Sequence, residues 1–198
     1  MTRAVPVGEG ALRIRLPEGL EPHRALEALR AEAGVRDVVV TETHALVHVD
    51  PAGPIPELGE ALRLAAIGPA PEVRPVEIVR VRYDGPDLEA VALASDLDPE
   101  EIIRLHEGRC YDVRMIGFLP GFAYLGEVDQ RIVARRLEVP RRRVPKGAVG
   151  IAGARTGIYP FDSPGGWRLI GTAVDFHPFD PVAGSRLRLG DRVRFVRV

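Results

Sequence analysis

At 198 residues the chain is long enough to bury one large core or two small ones. Its 27 lysines and arginines stand against 28 aspartates and glutamates, so a formal charge of −1 gives no global basic field to invite nucleic acid. The only cysteine, Cys110, excludes an internal disulfide and any cysteine-built metal site.

No apolar run reaches membrane-spanning length and the first residues lack the apolar core of a signal peptide, so a cytoplasmic protein without a membrane partner is expected. Lys146 is the single lysine, asparagine is absent and Gln130 is the only glutamine. Scarce amides and cysteine suit a thermophile, although a GC-rich genome would give the same bias.

In chain order, Ala11–Leu16 reads as a strand. Glu21–Ala33 reads as a helix, with Ala25, Leu26, Leu29 and Ala33 at helical spacing and Gly34 as a C-cap type residue. Val35–Val40 and Ala45–Val49 are the next strands, placing His44 and His48 on one strand face rather than at helical metal-ligand spacing. Pro56–Ala66 is a second helix, with Pro56 in its first turn. The order β-α-β-β-α is half of a ferredoxin-like split unit, which defines an N-terminal α+β domain over residues 1–70. Gly68, Pro69, Ala70 and Pro71, with Pro75, form a stiff linker.

A second domain is expected over residues 76–198. Val76–Tyr83 alternates like a strand, and Asp87–Ala94 and Pro99–Glu107 are short helices. Asp98, Pro99 and Glu101 make a capping-box-like start, and Gly108 a stop. Val113–Phe118, Val149–Ile151, Trp167–Ile170 and the alternating tail Asp191–Val198 are further strands. Many short strands with dense turns and two helices predict a closed β-barrel. The cluster Arg135, Arg136, Arg141, Arg142 and Arg143 reads as a solvated face, with an anion site as the other reading.

Two glycine-hinged runs hold the candidate chemistry. Gly117 to Gly126 sets Phe118, Phe122 and Tyr124 around Pro120 and Gly121. Val144 to Gly171 contains seven glycines and three prolines, with Thr156, Tyr159 and Trp167 among them. Such aromatics either line a ligand pocket or plug tight barrel corners. His106, near a helix C-terminus, reads either as a dipole-stabilised surface cap or as a general acid or base. Lys146 reads as an exposed loop residue. No G-x-x-x-x-G-K-[ST] loop and no G-x-S-x-G elbow is present.

These two runs resemble the paired signatures of the family formed by the B subunits of 5-oxoprolinase, which includes the sporulation-kinase inhibitors (KipI-like proteins) and the proteins labelled allophanate hydrolase subunit 1. The likeness runs from Gly117 through Gly171 with few breaks. It implies a cyclophilin-like barrel for the second domain. It also implies an ATP-dependent hydrolase, inactive alone, that opens 5-oxo-L-proline to L-glutamate together with a homologous C subunit plus an A subunit. ATP with Mg would serve as cofactor without a P-loop, and no resident metal is implied. The same resemblance allows a regulator that inhibits a sensor histidine kinase, or a carboxyl-transfer component acting on urea- or allophanate-like substrates; a homo-oligomer is also open.

Carried onto this chain, His106 and Arg155 become the catalytic candidates. Phe118, Pro120, Gly121, Tyr124, Thr156, Tyr159 and Trp167 become the substrate-binding ones. The chain departs from the family pattern where Arg155 stands for glutamine, Ala148 for serine and Glu107 for Ser/Thr, and where the Tyr83–Leu88 segment is shortened. Arginine's rigid donor fork suits carboxylate or phosphate, where glutamine offers one donor group and one acceptor.

Overall fold

The computed structural model of the protein describes residues 3–54, 56–69 and 75–198, in two compact units, Met1–Val73 and Arg74–Val198. Ala70 and Pro71 of the expected linker lie outside the described residues.

The first unit contains β1 (Val5–Pro6), β2 (Ala11–Arg15), α1 (Pro22–Arg30), β3 (Val35–Val40), β4 (His44–Val49) and α2 (Leu58–Ile67). Its sheet has the order β1-β2-β4-β3, and β4 runs antiparallel to both β2 and β3. Strands β2 and β3 are therefore parallel and split by β4. Ile14, Val38, Val40, Ala45 and Val47 are buried, as are Ala25 and Leu29 of α1 and Leu58 and Leu62 of α2. His44 and His48 do share one face of β4, opposite buried Ala45 and Val47.

Two expectations need correction here. Helix α1 stops at Arg30, with Ala31 as C-cap. Gly34 serves the turn into β3 instead, at φ +82, where a Cβ would lie 2.6 Å from the Pro54 carbonyl oxygen. Pro56 precedes α2 rather than entering its first turn, because Glu57 is the N-cap.

The second unit opens with β5 (Val76–Arg82), α3 (Leu88–Ala94), α4 (Pro99–Glu107), β6 (Cys110–Ile116) and β7 (Ala123–Glu127). After a 3-10 turn at Gln130–Ile132 come β8 (Arg141–Val144), β9 (Ala148–Ala152), β10 (Arg155–Ile158) and β11 (Ser163–Gly165). Then follow β12 (Arg168–Val174), β13 (Phe179–Asp180), β14 (Gly184–Ser185) and β15 (Arg192–Arg197). Seven strands close a barrel in the order β10-β7-β6-β15-β5-β12-β9. The tail strand β15 completes it by pairing parallel to β5 and antiparallel to β6. Alternation decides the lining: Val79, Val81, Tyr111, Val113, Leu125, Val149, Ile151, Val193 and Phe195 point inward and are buried.

At the start of α4 the Asp98 carboxylate accepts from the Glu101 N–H at 2.8 Å, with Pro99 at the first helical position. The Glu101 side chain is paired with Arg104 and Arg131. Strand β6 ends at Ile116, so Phe118 is not a strand residue. It takes φ +72 in the turn before β7, where its ring is 59% exposed.

Candidate functional site

The two glycine-hinged runs meet through strands β7 and β10, where Thr156 pairs with Leu125 and Arg155 with Glu127 across a bulge. Because side chains alternate along β10, Thr156 and Ile158 enter the barrel, while Arg155 and Gly157 face outward. The residues singled out from the sequence therefore divide between the two faces of one strand.

On the outer face Phe122 is the hub. Its ring centroid lies 5.6 Å from Phe118, 4.9 Å from Tyr124, 5.3 Å from Tyr159 and 5.3 Å from Trp167, all edge-on. Tyr124 and Trp167 are 5.7 Å apart. This layer lies on Ala148, Gly150 and Ala152 of β9 and Gly157 of β10, outward positions with little or no side chain. A Cβ on Gly157 would approach the Ala123 carbonyl oxygen at 2.9 Å, Phe122 Cζ at 3.3 Å and Trp167 Cζ3 at 3.4 Å. Pro120 and Gly121 form the turn that brings Phe118 back over Phe122. Gly121, at φ +79, has Phe179 Cβ where its own would be, at 2.7 Å.

Polar groups stand beside this layer. Burial raises the pKa of the Tyr159 phenol, while the Trp167 backbone amide and the charges of Arg136 and Arg141 oppose the rise. Burial likewise raises the Tyr124 phenol, again against the Arg136 charge. Arg141 is held by Asp87, a carboxylate only 5% exposed, at 2.7 Å. The other Asp87 oxygen accepts from the Leu169 N–H at 2.7 Å. Arg155 is partly buried, with Glu127 at 4.0 Å.

Inside the barrel the arrangement is different. His106 is fully buried, so the reading of it as a surface cap is corrected. Its ring stacks on Phe195 at 4.5 Å, and its nitrogens meet the Tyr83 hydroxyl at 2.8 Å and Thr156 Oγ1 at 2.9 Å. The Thr156 hydroxyl spends its proton on the Gly150 carbonyl at 3.0 Å, so it accepts from His106 Nε2–H. Nδ1 is then bare and accepts from Tyr83. Desolvation alone lowers the His106 pKa from 6.5 to about 3, and the imidazole is neutral.

Among the described residues no group of three or more His, Cys, Asp or Glu side chains converges as a metal site requires. None of the helices there is long and apolar enough to cross a membrane. Lys146 is exposed, and its backbone N–H donates to Asp162. The sequence did not point to Asp87 as an anchor or to Phe122 as the hub of the layer. The only available signal for Asp87 was its place in the shortened Tyr83–Leu88 segment, because a buried carboxylate is invisible without its partners.

A family model, the carboxyltransferase domain, subdomain C and D, matches residues 2–186. The chain belongs to that family. Among curated relatives, the B subunit of 5-oxoprolinase from Bacillus subtilis (strain 168) is 46% identical over 142 residues, 69% of this chain and 59% of that protein. The chain thus spans about three fifths of the length of this relative. The crystal structure of TTHA0988 superposes on 100% of this chain and 41% of its own, with TM-score 0.79 and 37% identity. The Kluyveromyces lactis urea amidolyase shares the fold alone, with TM-score 0.70 at 15% identity over 100% of this chain and 15% of that one.

Proposed function

We propose that this chain is one component of an ATP-dependent 5-oxoprolinase, inactive alone and working with a homologous C subunit plus an A subunit. The observation that carries the reading is the outer aromatic layer. The two glycine-hinged runs, whose motifs resemble the B subunits of 5-oxoprolinase, pack into one buried aromatic cluster around Phe122, with Tyr124 half-buried and Phe118 exposed at its edge. A flat lactam ring suits the edge of this cluster, where Phe118 is exposed and Tyr124 half-buried, and Arg155 offers a donor fork to its carbonyl. Phe118 and Pro120 form the edge from which water would be displaced, and Gly121 sets the turn that carries them. His106 and Thr156 support this surface from behind by fixing β10 to β9. We read the first unit as ferredoxin-like and the barrel as cyclophilin-like.

The reading takes ATP with Mg as the cofactor of the assembled complex, bound without a phosphate loop. The test is 5-oxoproline-dependent ATP hydrolysis after mixing this chain with its candidate C and A partners. Activity that needs every component, and falls at least about tenfold in Tyr159→Ala or Arg155→Ala, supports the reading. A complex that forms without this activity moves the assignment to the carboxyl-transfer reading, which the family model favours and which urea-dependent turnover would detect. The kinase-regulator reading would instead require that no such complex forms.

A further inference from the structure

Three non-glycine residues among the described ones stand at positive φ: Asp96, Phe118 and Asp175. Aspartate visits the left-handed region readily, because its short polar side chain can bond locally, whereas a phenylalanine there is strained. Burial does not explain the strain. Phe118 is 59% exposed and meets the aromatic cluster only edge-on, with its centroid 5.6 Å from that of Phe122. Leu119, the next residue, packs against the cluster instead. Single exposed apolar residues are ordinary, and Val139 and Val182 are more exposed still, but neither stands at positive φ. Phe118 combines strain with exposure, and strain of this kind gathers at sites that bind.

The turn holds this ring in place. The Gly117 N–H donates to the Phe122 carbonyl at 3.1 Å, and the Phe122 N–H to the Leu119 carbonyl at 3.0 Å. Pro120 fixes φ between them. Gly121 lies against the next element, since its Cβ would meet the Pro178 carbonyl oxygen at 2.8 Å. That support is itself fastened: Phe179 pairs with Ser185, and the Arg186 N–H donates to the Pro178 carbonyl at 2.9 Å. A small molecule is held by a recess that surrounds it. The recesses of about 390 and 400 Å³ on this unit are lined by residues between 93 and 107 and by Arg197, with nothing from residues 117–121. An exposed aromatic on a closed turn suits a protein interface better, because little side-chain freedom is left to lose when it docks.

We propose that Phe118 is the anchor by which a second protein chain docks on this unit, its ring entering an apolar recess of that chain. The docked chain covers the exposed Pro120 and the half-buried Tyr124, so the edge of the aromatic cluster is closed between two chains rather than within one. The inference rests on the proposed function for the identity of the partner as the C subunit, but not for the docking role of the ring.

The experiment measures association of the full chain with the candidate C subunit by calorimetry, and the melting temperature of each variant alone. Phe118→Gly and Phe118→Asn remove the ring and suit the left-handed backbone. Relief of strain then offsets the lost edge contact, and both should melt within about 3 °C of the wild type. Each should weaken association at least about tenfold. Phe118→Tyr should keep most of the affinity, and Val182→Ser should leave it intact. A much larger fall in melting temperature in both ringless variants would mean that the ring serves packing on Phe122, and overturns the docking role. Unchanged association in both variants overturns it too; if turnover of 5-oxoproline is then lost, the ring acts on the ligand and the proposed function stands. If association depends on the ring but the complex completed with the A subunit turns over no 5-oxoproline, the docking site stands and the proposed function fails. No association of the wild-type chain with the C subunit overturns both.

Discussion

At His106 the surroundings decide the chemistry. The imidazole has an apolar ring on one side, a phenol at Nδ1 and a threonine at Nε2, with no carboxylate bonded to it. Folding therefore favours its neutral form, and the unfolded chain takes up the proton first. A base whose folded pKa is depressed contributes stability that is complete above about pH 6.5 and is lost as pH falls toward 3. Between pH 7.5 and 5.5 this group alone should remove about 1.4 kcal/mol. Urea unfolding at the two pH values measures the loss, and His106→Gln should flatten it. Asp87 is the opposite case, a buried carboxylate satisfied by Arg141 and the Leu169 N–H. Asp87→Ala should cost roughly 2–4 kcal/mol by leaving both donors unpaired, with Arg141's partial exposure softening the effect. The same urea titrations would read it, and a change below about 1 kcal/mol would contradict the anchoring role.

Strands β9 and β10 show how one element serves two environments. Inward, Val149, Ile151, Thr156 and Ile158 fill the barrel; outward, Ala148, Gly150, Ala152 and Gly157 give ground to the aromatics. Gly157→Ala pushes a methyl group against Phe122, Trp167 and a backbone oxygen, and should cost about 1–3 kcal/mol. It should also shift the Trp167 emission. Gly153→Ala meets nothing within 4 Å, so only its φ of +57 resists, at about 1 kcal/mol, and the emission should not move. Equal effects of the two substitutions would show that the layer does not press on β10. The sequence revealed β9 as the short apolar run Val149–Ile151, a local signal, but left β10 among the bends of the glycine-rich run. It also named most members of the aromatic layer, through the resemblance. It could not divide Thr156 and His106 from Tyr159 and Trp167, since which face of β10 enters the barrel depends on pairing with β7 and β9. Nor could it find the Asp87–Arg141 pair, whose members are 54 residues apart and meet only after closure.

For the whole molecule, closure of the barrel sets an expectation about autonomy. Every one of its seven strands comes from residues 76–197, and no barrel strand is left with an open edge. The interior is likewise filled from the same stretch, by Val79, Tyr111, Leu125, Ile151 and Phe195 with His106 from α4. Residues 75–198 should therefore fold when expressed alone. The fragment has a chain length ordinary for a single domain, and the aromatic layer around Phe122 and Trp167 lies wholly within it. Its Trp167 emission maximum should match that of the full chain, and its unfolding should be a single cooperative transition. Loss of Asp87 or insertion of a methyl group at Gly157 should lower the midpoint of the fragment by the same amount as in the full chain, because those contacts lie wholly within it. A fragment with native secondary structure but red-shifted emission would show that the aromatic layer depends on residues outside the barrel.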